Sequence, residues 1–187
     1  MEDLAGREFA ALRDTIQARG GARIQSFLGG IATWAVALIA VLVWLPYPMA
    51  AVVPLVVLVA TFEVVRVLHL VVERIGRYVQ VFYEEPLGDR LAPPAWERAA
   101  MQFGPSVPGA GGHPLFLPMF LIATIANALA IVLPGPLMIE ATTLSVPHVS
   151  FVVWMLYCDR AMRKQRRSDL ARYRSLRDTE TSARAHL

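Results

Sequence analysis

At 187 residues, 56% hydrophobic and only 18% charged, the chain lies outside the composition of ordinary soluble domains. Its single cysteine, Cys158, excludes an internal disulfide, and a formal net charge of +3 understates how unevenly the basic residues are placed. The apolar residues gather into runs near Phe27–Leu45, Met49–Leu70, Leu115–Leu133 and Leu137–Tyr157, each about 20 residues, the length that crosses ~30 Å of hydrocarbon at ~1.5 Å per residue.

Residues 1–22 read as a cytoplasmic amphipathic helix, with Leu4, Phe9, Leu12 and Ile16 on one side, ending at the Gly20-Gly21 pair. Acidic Glu2, Asp3, Glu8 and Asp14 precede the first run, so that run is expected to stay as an anchor rather than be cleaved as a secretory signal. Within it Gly29, Thr33 and Ala37 stand four residues apart, continued by Ala40. Small residues at that spacing let a neighbouring helix approach by backbone contact, here expected inside the monomer. Trp44 and Tyr47 close the run at the outer interface, and Leu45-Pro46-Tyr47-Pro48 turns the chain.

Residues 23–85 thus make a first helical hairpin with a long second helix. From Phe62 to Glu85 the sequence passes from apolar to charged with no proline to stop it. Glu63, Arg66, Glu73, Arg77, Gln80 and Glu84 recur every three or four residues, interrupted only by Leu70, and form one polar stripe. Residues 86–113 form a cytoplasmic loop, with a short helix starting at Pro94 that carries Trp96 on its apolar side. The following GPSVPGAGGHP is glycine-rich, but no strand precedes it and no Gly-Lys-Ser/Thr follows, so it is not a phosphate loop. Residues 114–177 make a second hairpin, turned at Leu133-Pro134-Gly135-Pro136, with a basic cytoplasmic extension after Tyr157. Residues 178–187 are expected to be a disordered tail.

The expected fold is therefore an all-α integral membrane protein: a four-transmembrane-helix bundle of two helical hairpins, with helices 2 and 4 extended into the cytoplasm. Basic residues precede the first run, lie between the second and third, and follow the fourth, while both Pro-Pro turns are uncharged. By the positive-inside rule the termini and the middle loop face the cytoplasm, in a cytoplasmic (inner) membrane. Arg160, Arg163, Lys164, Arg166 and Arg167 also suit anionic lipid headgroups, at ~1 kcal/mol each near the surface. Nucleic acid is not expected, since the tail offers only Tyr173 for stacking.

Charges within hydrocarbon cost ~2.5–3.5 kcal/mol each on insertion scales, so they mark the places where chemistry is sought. Glu63 falls ~21 Å along the helix from Met49, inside the membrane, with Arg66 one turn on as its ion-pair partner. Glu140, Thr143, Pro147, Ser150 and Trp154 form a polar line on the fourth helix, with His148 beside the proline and Thr124 and Asn127 on the third. The same residues suit either a path for protons or ions or hydrogen bonds that tie helices together. His69, Glu73 and His113 come nearest to a metal set but lack further ligands, and no cofactor is expected.

Glu63-x-x-Arg66-x-x-His69 resembles the helix motif of the membrane glutathione-transferase and leukotriene-synthase superfamily, which also has four helices. The likeness spans residues 63–73 alone. Val71 stands where the family's asparagine belongs, Glu73 is one position early, and the motif here ends a membrane helix rather than beginning one. What it implies is an enzyme acting on a lipid or thiol conjugate through Arg66, His69 and Arg77. The residues themselves favour a non-enzymatic subunit, assembly factor or scaffold, docking other membrane subunits or further copies of itself through Glu73, Arg77, Gln80, Glu84 and Trp96. A small oligomeric channel or transporter using Glu63, His148 and Glu140 is the alternative.

Overall fold

A computed structural model describes residues 2–45, 47–86, 115–133 and 135–185. Among them there is no strand. Helix α1 covers Glu2–Trp44; a 3-10 turn at Pro48–Ala51 leads into α2, Val52–Val79, which ends in a π-helical turn at Gln80–Glu84; α3 covers Leu117–Val132 and α4 Met138–Ala185. Pro147 lies inside α4, but three other prolines sit where a helix tolerates them. Pro48 opens the 3-10 turn, Pro54 lies in the first turn of α2 and Pro118 in the first turn of α3, positions whose N–H would have no intrahelical partner anyway. Gly135 adopts φ 70° between Pro134 and Pro136, a left-handed conformation that glycine takes without steric cost.

Three helices are long and apolar enough to cross a membrane: those within Gly6–Trp44, Pro48–Glu84 and Met138–Ala183. The fourth expected span is α3, apolar but for Thr124 and Asn127 and 16 residues long, or ~24 Å. Large apolar side chains stand open on all four helices, including Val36 at 68%, Val56 at 59%, Ile125 at 66% and Val149 at 60% exposure. Water does not tolerate contiguous faces of this kind, and hydrocarbon does.

Two expectations change. The helix break at Gly20-Gly21 is absent: α1 runs through both glycines as one 43-residue helix. A helical glycine costs ~1 kcal/mol relative to alanine, and the flanking Ala18, Arg19, Ala22 and Arg23 are helix formers that outweigh it. At the other end α4 continues to Ala185, so residues 178–185 are helical rather than a disordered tail. Thr179, Thr181 and Ser182 there turn their hydroxyls onto carbonyls one helical turn back. Trp96, the Pro94 helix and His113 lie outside the described residues.

The chain divides into two units. The apolar unit comprises Gly21–Leu68 and His113–Arg160. At its centre one phenylalanine from each helix joins a row of ring contacts: Phe62 of α2 packs edge-on against Phe120 of α3 and Phe151 of α4, at 5.4 and 5.8 Å, and Phe27 of α1 packs edge-on against Phe120 at 5.7 Å. Nearer the Pro turns Ala51, Ala130, Ile131 and Leu144 form a second buried cluster. Phe116 holds a left-handed φ of 50° at the start of α3, which is strained for a bulky residue; its ring stacks on Phe27 at 4.1 Å and lies beneath the Arg23 guanidinium.

The charged unit comprises Met1–Gly20, His69–Gly112 and Ala161–Leu187. Its described core is small and aromatic. Tyr78, Phe82 and Tyr173 contact one another edge-on or tilted, Phe9 packs on Tyr83, and Val79 and Val81 are fully buried.

Candidate functional site

The polar groups of the apolar unit fall into two bonded sets. In the first, Glu63 Oε2 accepts hydrogen bonds from Arg66 Nε at 2.8 Å and Nη2 at 2.6 Å. Its other oxygen, Oε1, accepts the indole N–H of Trp154 on α4 at 2.5 Å. The Arg66 guanidinium also lies 5.9 Å over the Trp154 ring, a cation–π contact, and that ring stacks on Tyr157. Helical spacing brings Glu63 and Arg66 together, as the sequence predicts; the packing of α4 on α2 adds the indole. The Glu63 carboxylate is thereby given a matched charge and a third donor, the conditions under which a charge is tolerated away from water.

The second set joins α1, α3 and α4 to the 3-10 turn that leads into α2. Asn127 of α3, fully buried, donates through Nδ2 to the Ala51 carbonyl at 2.9 Å and to His148 Nε2 at 2.9 Å, while its Oδ1 accepts Trp34 Nε1–H at 3.3 Å. His148 Nδ1 lies 2.8 Å from the Leu144 carbonyl. A carbonyl only accepts, so Nδ1 carries the proton and Nε2 is the acceptor. The Asn127 amide cannot turn over, because the Ala51 carbonyl needs its NH2 and the Trp34 N–H needs its oxygen. The partners of His148 therefore fix its tautomer and the orientation of its ring.

The remaining predicted members of the apolar unit point elsewhere. Glu140 caps α4, its Oε2 accepting Leu137 N–H at 3.0 Å, in the manner of a capping box. Thr143, Ser150 and Trp154 are exposed on the outside of the unit, and Thr143 bonds its own helix at Ile139. Thr124 likewise bonds the Phe120 carbonyl. The polar line of α4 thus does not line a path through the helices. The small-residue row of α1 is also corrected. Gly29 and Thr33 face outward, and the close crossing falls on Gly30, where an added Cβ would sit 2.1 Å from Thr61 Cγ2.

In the charged unit the stripe Glu73, Arg77, Gln80 and Glu84 is buried or half-buried, and its Arg77 reaches α4. Arg77 and Glu84 are 4% and 3% exposed. Arg77 bonds Asp169 Oδ2 through Nη1 at 2.6 Å and Glu73 through Nη2. Asp169 lies 92 residues from Arg77 and cannot be predicted as its partner from spacing. Just past the π-helical turn, Glu85 accepts Arg174 Nη2 at 2.7 Å and Arg177 Nη1 at 2.6 Å. Burial pushes the Glu85 carboxyl up, and the two guanidinium bonds outweigh it to hold the group below the usual carboxylate range. Of the predicted lipid-facing cations, Arg160, Arg163, Lys164 and Arg167 are exposed and Arg166 is half-buried. His69 is buried, and no group of three His, Cys, Asp or Glu among the described residues is arranged to hold a metal ion.

The chain matches no family model, no curated protein and no solved structure.

Proposed function

We propose that the chain is a four-span protein of a cytoplasmic-type membrane that works as a non-enzymatic subunit or assembly factor of a membrane complex. Both termini and residues 86–113 lie on the cytoplasmic side in this reading, as the basic residues flanking the spans demand. α3 serves as the fourth span, its 16 residues lengthened by the apolar Leu115, Phe116 and Leu133 beside it.

The observation that carries the reading is how the apolar unit spends its polar groups. Thr61, Thr124, Asn127 and His148, its buried polar side chains, are each bonded to another group of the chain, and Glu63 is matched by Arg66 and Trp154. Thr61 and Thr124 bond their own helices, whereas the Asn127 bonds and the Trp154–Glu63 bond pass between helices and lock them together. A conducting or catalytic group must instead change partner or charge during its work. Glu63, His148 and Glu140, the residues a channel would use, belong to three separate bonded arrangements, which favours the structural reading. α1 supplies the surface for assembly: 11% of its apolar window is buried, against 33% for α2 and 28% for α4.

Native mass spectrometry of protein released from its own membranes tests this directly. A second polypeptide or a further copy in fixed stoichiometry is expected, lost when the outward α1 residue Val36 is changed to a bulky tryptophan. Recovery of a lone chain that supports pH-dependent ion flux in proteoliposomes would overturn it.

A further inference from the structure

We infer that the outer face of α4 in the apolar unit seats one anionic phospholipid of the cytoplasmic leaflet, its phosphate at Arg160 and an acyl chain in the hollow beside Trp154 and Tyr157. The inference rests on the topology proposed above.

Val149, Ser150, Val153, Trp154 and Tyr157 line a shallow hollow of about 460 Å³. Trp154 and Tyr157 form one wall, stacked at 5.7 Å with their planes 23° apart. Trp154 is pinned from behind by its bond to Glu63 and by Arg66 over its ring, so the wall stands before any ligand arrives. Preformed walls reduce the ordering cost of binding. Three residues beyond Tyr157, on the same helical face, comes Arg160. It is exposed and forms no ion pair with a described residue, unlike Arg66, whose charge Glu63 already matches.

The order along the helix is that of a lipid molecule: valines, then an amphipathic aromatic pair, then a cation. The dimensions agree as well, since Val149 to Arg160 spans ~16 Å of helix, the depth of one leaflet's hydrocarbon, ~15 Å. An aromatic pair marks the interface level, and a free guanidinium one turn past it meets the phosphate with complementary charge. A neutral lipid would fill the hollow and leave Arg160 without a counter-charge.

The test uses full-length protein in bicelles holding equal phosphatidylglycerol and phosphatidylcholine, followed by native mass spectrometry of retained lipid. Wild type is expected to keep one phosphatidylglycerol in preference to phosphatidylcholine by about five-fold, the weight of one basic side chain at an anionic headgroup. Arg160→Gln should abolish that preference. Val153→Trp, at an open position that folding does not use, should expel both lipids. Arg172→Gln, an exposed arginine elsewhere on α4, should change nothing. Equal retention of the two lipids in wild type, or an equal loss in R172Q and R160Q, would overturn the seat in favour of diffuse attraction. Labelling Thr181→Cys with an impermeant thiol reagent in intact cells reports topology separately: labelling from outside would sink the cytoplasmic-leaflet assignment while leaving the adduct result standing.

Discussion

Asn127 shows how much one side chain holds in a setting without water. Changing it to alanine strands the Trp34 N–H, the Ala51 carbonyl and His148 Nε2 together. At ~0.6 kcal/mol per interhelical bond in a membrane interior, the loss is about 2 kcal/mol. Unfolding of N127A in mixed micelles should show it as an earlier transition, whereas Thr143→Val, which removes a bond to its own helix, should move the transition by less than ~0.5 kcal/mol. Glu85 gives a pH signature of the opposite unit. Its carboxyl is held below the ordinary 4.5 by Arg174 and Arg177, so the charged form is favoured by folding. The stability it supplies is fully present above that ordinary value and disappears as pH falls through the lowered folded one. Melting of wild type and Glu85→Gln from pH 7 to pH 3 should therefore differ by a constant amount at neutral pH and converge below about 4.5; curves that stay parallel into acid would show that the two arginines do not sense the carboxylate.

At the scale of the helices, the crossing of α1 and α2 depends on a single glycine. A Cβ at Gly30 would fall 2.1 Å from Thr61 Cγ2 and 2.7 Å from its Cβ, while one at Gly29 meets nothing within 4 Å. Gly30→Ala should cost about 1–3 kcal/mol as overpacking, and Gly29→Ala should be neutral or gain up to ~1 kcal/mol in helix propensity; reversible unfolding of the pair side by side measures the difference. The sequence allows either register, since Gly29 begins a row of small residues at four-residue spacing and Gly30 does not, and the first two members of that row, Gly29 and Thr33, face away. The helices themselves were legible because hydrophobic runs and proline turns are local signals. Local signals failed where a glycine pair resembled a break, and they carry no mark of the π-helical turn at Gln80–Glu84, which sits in an unbroken run of helix formers. Contacts between helices were not legible at all. Trp154 meets Glu63 across 91 residues, Arg77 meets Asp169 across 92 and Trp34 meets Asn127 across 93, and nothing in the spacing of either partner announces the other.

For the whole molecule, the division into an apolar and a charged unit makes a claim about cooperativity that a buried arginine tests. Arg77 is the most buried cation among the charged unit's described residues, 4% exposed between Glu73 and Asp169, which are 27% and 20% exposed. Changing it to methionine preserves much of its apolar stem and leaves two carboxylates facing each other without a counter-charge. Removing one member of a buried ion pair costs ~3–5 kcal/mol, and the partial exposure of both carboxylates reduces this to about 2–3 kcal/mol. Three helices run through both units, α1, α2 and α4, so the loss has a route by which to spread. Helices in a membrane, however, are held by bonds satisfied within each segment and form stable elements before they associate. Hydrogen exchange on Arg77→Met should accordingly speed up in peptides covering residues 73–86 and 161–178 and stay slow across residues 117–132. A uniform rise over all three would mean that the chain opens as one cooperative body, and that the ion pairs of the charged unit help to hold the Asn127 and Glu63 clusters closed.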